Sequence, residues 1–501
     1  MNNSGELTEP KFTQRLWQRR NQLLYGIYTK LDNRFSRVSP DALELVDVSD
    51  LCDGIDVLTV SPIMKKFSDA LQDEDVQKIN EHKLDVALRF GFRILRGKVL
   101  ETATHGVWSY HHDDSLLYRG GPPGFWEVMK DDAITGSVLQ ILTEELDNGR
   151  VIYRSWAPTT NRFSVKKNNN NYYWKSSAFV TRKLKELHSE LKVVVNNQPA
   201  SASPQPYCGR LYKIPGNREM LSLSLNLSRR AASRAIEKLA YSETWSLAYR
   251  FKTSEKDPND SFHKYRYLVP SKGRFWADPF PIKVGEKYFV FFEDFVYREG
   301  KANISVIEIG KDGPLREPVR ALETDFHLSY PFIFKWQETL YMIPETGSNN
   351  TVELYRCVSF PLKWEKQAVL LEANNPSDAT LFEIDGTWWM FVNIEERGVT
   401  VNWEELHLFY AASPLGPWHP HRRNPVKSDV RNSRPAGHLF FQNGQLFRPA
   451  QDCSKRYGYA TSINRVVTLS DEDHHTYEMF DTGPDGKESK VLTIKYTRVK
   501  E

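Results

Sequence analysis

Cysteine is scarce in this chain. Cys52, Cys208, Cys357 and Cys453 are the four among 501 residues, too far apart for a CxxC metal site or a disulfide framework. They read as reduced thiols in a cytoplasmic protein, with no metal expected. A dominant charge is lacking as well. Lys+Arg 67 against Asp+Glu 64 leaves +3, too little for a protein that holds nucleic acid mainly by charge. No apolar run approaches the roughly 20 residues of a spanning helix, so stable membrane insertion is not expected. The opening residues, MNNSGELTEPKF, lack the apolar core of a signal peptide. What is present is a globular composition, 40% hydrophobic and 26% charged, at a length that suits two to four domains of about 150 residues. Aromatic residues reach 13%, with Trp 13 and Tyr 23, which asks for a β-rich part.

The pattern changes along the chain. Residues 1–35 contain a basic amphipathic helix at 11–35, with Leu16, Leu23, Leu24, Ile27, Tyr28 and Leu31 among many Lys and Arg. Its apolar face suits packing on its own domain or docking on a membrane or partner surface. Residues 36–192 alternate strand and helix patterns: strands at 55–60 and 84–90 with a helix at 68–82 between them, then a strand at 106–110. A helix follows from Phe125, then strands at 137–143 and 150–156 and a helix at 174–191. Such alternation argues for an open α/β sheet, at least partly parallel. Residues 193–244 form a linker, its NNQPASASPQP stretch rich in proline and small polar residues, followed by a helix at 228–240.

Residues 245–501 repeat a phrase: a polar residue, a short apolar strand, a turn, an aromatic strand. Its markers, Asp278, Ser329, Asp378 and Arg434, stand 51, 49 and 56 residues apart. A period of about 50 with several strands per repeat indicates propeller blades, and the region's length suits five. The fifth blade would close by pairing 245–251 with strands late in the chain.

The stretch 105–149, HGVWSYHHDDSLLYRGGPPGFWEVMKDDAITGSVLQILTEELDNG, sets a histidine at a strand end before a glycine-rich turn and a helix. Open α/β sheets bind ligands at such places. Ser109 lies two residues before His111 and so shares its strand face. A carboxylate such as Asp147, if near the imidazole, would stabilise its charged form. These residues alone leave a His/Asp site and a packing histidine equally open.

The same stretch resembles the N-terminal catalytic domain of the N10-formyltetrahydrofolate-dependent formyltransferases. That family runs Asn-x-His, a short loop to Tyr-Arg-Gly, a helix, Thr-Gly, and Leu-Asp-x-Gly. Here Ser109-Tyr110-His111, Tyr118-Arg119-Gly120, Thr135-Gly136 and Leu146-Asp147-Asn148-Gly149 follow in order. The resemblance covers residues 55–160 and implies formyl transfer from N10-formyltetrahydrofolate, as co-substrate, to an amine. It implies His111, preferred over His112, as the catalytic histidine that assists proton removal from the amine, and Asp147 as its carboxylate partner. Ser109 stands where the family has the oxyanion-binding Asn. Phe90, Gly91, Phe92, Ile94 and Leu95 correspond to the strand and loop that line the folate pocket. Arg119 and Gly120 fall on the acceptor side. The family's first strand has no counterpart before residues 43–48, so the expected fold is a formyltransferase-like sheet lacking that strand, followed by an all-β five-bladed propeller.

The blade motif Arg274-Phe275-Trp276-Ala277-Asp278-Pro279-Phe280 resembles propellers of the glycoside hydrolase kind and the propeller found with plant glucosamine inositolphosphorylceramide transferases. This implies carboxylates around the central axis, here Asp278, Glu345 and Asp378. They would hydrolyse a glycosidic bond, bind sugar hydroxyls without cutting, or serve as scaffold at strand ends. Trp276, Trp388 and Trp389 would stack on sugars or serve as core. The fused layout points to an amino sugar, free or carrier-linked, as the acceptor. The alternatives are a catalytically degenerate carbohydrate-binding protein and a glycoside hydrolase acting through the propeller.

Overall fold

The computed structural model describes residues 20–65, 67–144, 149–160, 162–189, 209–240, 244–251, 264–395, 401–467, 469, 476–482 and 488–495. By compactness the chain divides into Met1–Ala235 and Ile236–Glu501, a cut that falls inside the helix expected after the linker. The linker residues 193–206 lie outside the described residues.

In the first unit, helix α1 (Leu23–Phe35) is the described part of the expected basic helix. No strand forms at 55–60. Ile55, Val57 and Leu58 stay exposed, since nothing pairs with that segment and an apolar run makes a strand only beside a partner. The helix expected at 68–82 begins later, as α2 (Asp73–Glu81), whose first turn carries Asp73, Glu74 and Asp75 where the helix dipole favours them. Ser68–Ala70 instead pairs in parallel with Ile94–Leu95, because the Asp69 carboxylate accepts from the backbone and guanidinium of Arg93.

The main sheet takes the order β1 (Ala87–Leu88), β2 (Val107–His112), β3 (Ile134–Ile141), β4 (Arg150–Pro158). Its first pair is parallel and the others antiparallel. Helix α3 (Phe125–Lys130) starts where expected. The single helix expected at 174–191 is two, α4 (Val165–Ser176) and α5 (Phe179–His188). The Ser176 and Ser177 hydroxyls donate to Tyr173 O and Trp174 O, competing with the helical backbone where the break occurs. Ser164 caps α4 by accepting from Lys167 N at 3.1 Å. Helix α6 (Asn217–Ala240) begins eleven residues earlier than its expected start at 228.

Alternation along β2 divides two cores. Val107 packs with Val76, Leu95, Val99 and Leu100, while Trp108 packs with Leu139, Ile141, Ile152 and Phe179. Ser109 and His111 therefore share the face of Val107, and His112 turns the other way.

The second unit consists of antiparallel meanders. The first holds β5 (Arg274–Val284), β6 (Lys287–Val296) and β7 (Lys301–Gly310), with Gly313–Pro314 and Val319–Leu322 on its outer edge. The second holds β8 (Ser329–Trp336), β9 (Thr339–Thr346), β10 (Thr351–Ser359) and β11 (Lys363–Glu372). The third holds β12 (Ser377–Ile384), β13 (Thr387–Asn393) and β14 (Glu405–Ala411). The fourth holds β15 (Phe440–Gln442), β16 (Gln445–Asp452), β17 (Ala460–Val466), β18 (Thr476–Thr482) and β19 (Glu488–Lys495). Leu247–Tyr249 pairs with Arg266–Leu268 rather than with late strands, correcting the expected closure. This ribbon packs Leu247 and Leu268 against Trp276, Val290 and Ile307 of the first meander, so nearby apolar surface wins over distant pairing. Among the described residues no sheet closes on itself.

Successive meanders pack through apolar seams. Phe291, Ile304 and Val306 meet Ile333, Met342 and Tyr355, and Phe391, Leu406 and Leu408 meet Leu439, Leu446 and Val466. The repeat has a backbone cause. β5, β8 and β12 each carry a bulge, between Ala277 and Phe280, Ser329 and Phe332, and Ser377 and Thr380. Asp278, Tyr330 and Asp378 sit there at φ 49, 43 and 54. The second repeat is therefore marked by Tyr330, not Ser329. A tyrosine in that region is strained. Its hydroxyl, 2.7 Å from Thr380 Oγ1 and accepting from Gly437 N at 2.7 Å, holds it in place.

Candidate functional site

Two constellations emerge, one in each unit. In the first unit Ser109 is buried at 2% exposure, its Oγ accepting from Arg89 Nη1 at 3.0 Å and donating to Tyr110 O at 3.3 Å. His111 is half-buried, with Nε2 3.5 Å from Tyr118 O. His112 stacks on Tyr110 and meets Tyr173 edge-on. Burial and the adjacent His111 lower its pKa to about 3, so it stays neutral and serves packing. Asp147 lies outside the described residues.

Of the expected folate-pocket residues, Phe90 is 65% exposed and Gly91 stands at φ 77 in open space. Ile94 is half-buried in its parallel pairing with Ser68. Buried Leu95 and half-buried Phe92, in contrast, pack into the Val76–Val107 core. Phe90 and Gly91 are thus the open part of the loop. Arg119 Nε donates to Ser115 O at 3.1 Å. Gly120, at φ 103, is required by close approach, since a Cβ there would meet Tyr212 O at 2.1 Å. A Cβ on Gly136 would likewise meet the Asp114 backbone at 2.7 Å. Both motif glycines thus have packing reasons.

Sequence reasoning missed an acidic cluster just after the histidines. Asp114 accepts from Arg154 and, at 2.9 Å, from Trp156 Nε1. Asp113 accepts from Gly124 N at 2.8 Å. Burial and the nearby Glu127 raise the Asp113 carboxyl well above its ordinary range. Burial also lifts Glu127 to about 7. The pair Asp-Asp directly after His-His was the available signal. Elsewhere in the unit a cleft of about 370 Å³ is lined by Tyr25, Tyr28, Asp32, Phe125, Lys166 and Asn169. None of the expected site residues borders it.

In the second unit the three expected carboxylates come together around a residue known beforehand only as a repeat marker. Arg434 donates from Nε to Asp378 Oδ2 at 2.6 Å and from Nη2 to Asp378 Oδ1 at 3.0 Å. The same Nη2 donates to Glu345 Oε2 at 3.0 Å. Gln451 Nε2 donates to Asp378 Oδ2 at 2.8 Å, and Ser329 Oγ to Glu345 Oε2 at 3.1 Å. The Arg434 guanidinium also lies over the Tyr457 ring at 5.1 Å. Asp278 keeps part of its surface accessible. Burial of its carboxyl, with Glu293 and Asp378 nearby, lifts it to about 8 against the pull of Arg434. Glu293 lies 3.4 Å from His327 Nε2. Burial pulls the His327 imidazole down, but Glu293 leaves it raised.

Register explains the ring. Ala277 pairs with Glu293, Ser329 with Glu345 and Ser377 with Asn393, so each β-hairpin delivers one polar side chain to the same position. Among the described residues, both amide atoms of Asn393 are buried without a hydrogen-bond partner. Trp276 and Trp389 are core, and half-buried Trp388 packs against the central cluster. Chemically, the ring offers carboxylate and amide acceptors to hydroxyl donors. Two of its carboxylates, Asp378 and Glu345, share one guanidinium, and burial with Glu345 alongside raises the Asp378 carboxyl well above its ordinary range despite Arg434. Among the described residues no group of His, Cys, Asp or Glu could hold a metal ion.

Comparison with known proteins finds likenesses that each cover part of the chain. Residues 266–488 match the family described as glucosamine inositolphosphorylceramide transferase 1, N-terminal. The enzyme of that name from Oryza sativa subsp. japonica is 37% identical over 214 residues, 41% of this chain and 28% of that protein. Its Arabidopsis thaliana counterpart is 32% identical over 209 residues, 41% of this chain and 27% of its own. A methionyl-tRNA formyltransferase from Bacteroides thetaiotaomicron is 32% identical over 96 residues, 19% of this chain and 30% of that enzyme. The chain thus spans less than a third of each of these relatives. Among solved structures, a family 117 glycoside hydrolase from Zobellia galactanivorans superposes at TM-score 0.32 and 14% identity, over 44% of this chain and 72% of that one. A thermostable family-43 glycoside hydrolase superposes at TM-score 0.34 and 14% identity, over 47% of this chain and 84% of that one.

Proposed function

We propose that this protein transfers a formyl group from N10-formyltetrahydrofolate to the amine of an amino sugar, free or carrier-linked. The second unit, read as a propeller, recognises the sugar. The observation that carries the reading is β2. It sets Ser109 and His111 on one face, two residues apart, and Arg89 ties that face to the Phe90–Leu95 loop. The family likeness of residues 266–488 and the acceptor-rich ring around Arg434 support a sugar as the partner. His111 takes the amine proton as nitrogen attacks the formyl carbon, and Phe90 and Gly91 face the one-carbon donor. Glycoside hydrolysis fits the ring less well. It needs one free base and one acid, and Arg434 holds Asp378 and Glu345, leaving Asp278 alone of the three expected carboxylates outside its hydrogen bonds.

The test is turnover of N10-formyltetrahydrofolate with a panel of amino sugars, by the full chain and by His111→Ala. We expect formylated product from the wild type and a loss of about 10²–10⁴-fold in the variant. Equal turnover by both, or none by either, removes the reading. A second reading is favoured by the Ser109 hydroxyl being shared between Arg89 and Tyr110 O. On that reading the first unit no longer transfers and the protein binds carbohydrate alone. Glycans would then raise the melting temperature while folates leave it unmoved.

A further inference from the structure

We propose that Arg89, not Ser109, donates the hydrogen bond that steadies the oxyanion during formyl transfer, an assignment that rests on the reaction proposed above. Arg89 N donates to Trp108 O at 2.9 Å, so its backbone is fixed beside β2. Its side chain then spans two places that the reaction must bring together. Nη1 donates to Ser109 Oγ at 3.0 Å, at the position where formyltransferases carry Asn. Nη2 donates to Arg93 O at 2.6 Å and to Phe92 O, both in the loop expected to face the folate. The guanidinium therefore sits between the donor loop and the vacated amide position.

Chemistry favours it over the serine. A hydroxyl has one hydrogen to give, and that of Ser109 points to Tyr110 O while its oxygen receives the guanidinium. Serine thus acts as the acceptor that aims Arg89. A guanidinium brings a planar array of N–H groups and a permanent charge, and charge-assisted bonds to an oxyanion are about twice as strong as neutral ones. In the step itself, the amine nitrogen bonds to the formyl carbon and the carbonyl electron pair moves onto oxygen, where Arg89 meets it. Collapse breaks the bond from carbon to N10. The departing nitrogen takes the proton that His111 removed from the amine, leaving the formamide and tetrahydrofolate. An Arg–Ser pair thereby replaces one Asn.

The experiment is steady-state formyl transfer by the full chain with an amino sugar that the wild type accepts. It compares Arg89→Gln, Arg89→Lys and the double variant Arg89→Gln/Ser109→Asn. We expect Arg89→Gln to lower kcat about 10²–10³-fold, with KM for N10-formyltetrahydrofolate little changed. Arg89→Lys, which keeps the charge and checks folding, recovers part of that loss. Restoring Asn at position 109 recovers at least about tenfold, which a brace for the loop would not do. Unchanged kcat, a loss confined to KM, or failure of the Asn rescue overturns the assignment. Wild-type chain that formylates no amine overturns the reaction itself, and the assignment with it.

Discussion

The two polar constellations differ in how they are built. The site in the first unit is drawn from one strand and the loop beside it: Ser109 and His111 lie two residues apart and Arg89 twenty residues upstream. The ring in the second unit is assembled from Glu345, Asp378, Arg434 and Gln451, side chains from three successive meanders and the segment before the last, spread over residues 345–451. A strand-borne site tolerates the loss of a neighbour, because backbone pairing fixes its geometry. A ring held by side chains depends on its central cation. Arg434 has a side chain 5% exposed, and its partner Asp378 1%. Removing one member of such a buried pair strands the other without compensation.

The sharpest way to break this contrast is Arg434→Met. It should cost about 3–5 kcal/mol in denaturant unfolding. His111→Ala, on the other site, should leave stability within about 1 kcal/mol. Comparable losses would mean that the ring is not specially dependent on its cation. Next, Gly120→Ala should cost about 2 kcal/mol or more, since φ 103 and the Tyr212 carbonyl oppose a side chain. A neutral result would free that glycine for a ligand-facing role.

A smaller effect carries a definite sign. The folded-state pKa of Glu127, about 7, stands above its ordinary 4.5, so the folded chain holds the extra proton. Stability therefore falls as pH rises from 4.5 to 7, and the penalty is complete above that. Glu127→Gln should gain up to roughly 3 kcal/mol at pH 8 and nothing at pH 4. A gain that is the same at both values would assign the effect to packing rather than charge.

What the sequence revealed follows the same division. Counting back from Arg119-Gly120 favours His111 over His112. Strand alternation, which is local, sets the two on opposite faces, and the structure does the same. The period near 50 was visible because each bulge repeats a short phrase. The role of Arg434 was not, since nothing in Arg-Pro-Ala-Gly says which carboxylates wait on other meanders. Arg89 escaped notice because its contact with Ser109 crosses a parallel strand pair. The strand expected at 55–60 failed for the complementary reason. Apolar pattern specifies a strand only when a partner edge is at hand, and pairing is a property of the fold.

Formyl transfer requires a nucleophilic amine on the acceptor. Tetrahydrofolate release should be followed with N10-formyltetrahydrofolate and an amino sugar, beside the same sugar already N-acetylated. The account predicts release with the free amine and none with the acetylated sugar, which has no nucleophilic nitrogen. Equal release from both, or none from either, would contradict it.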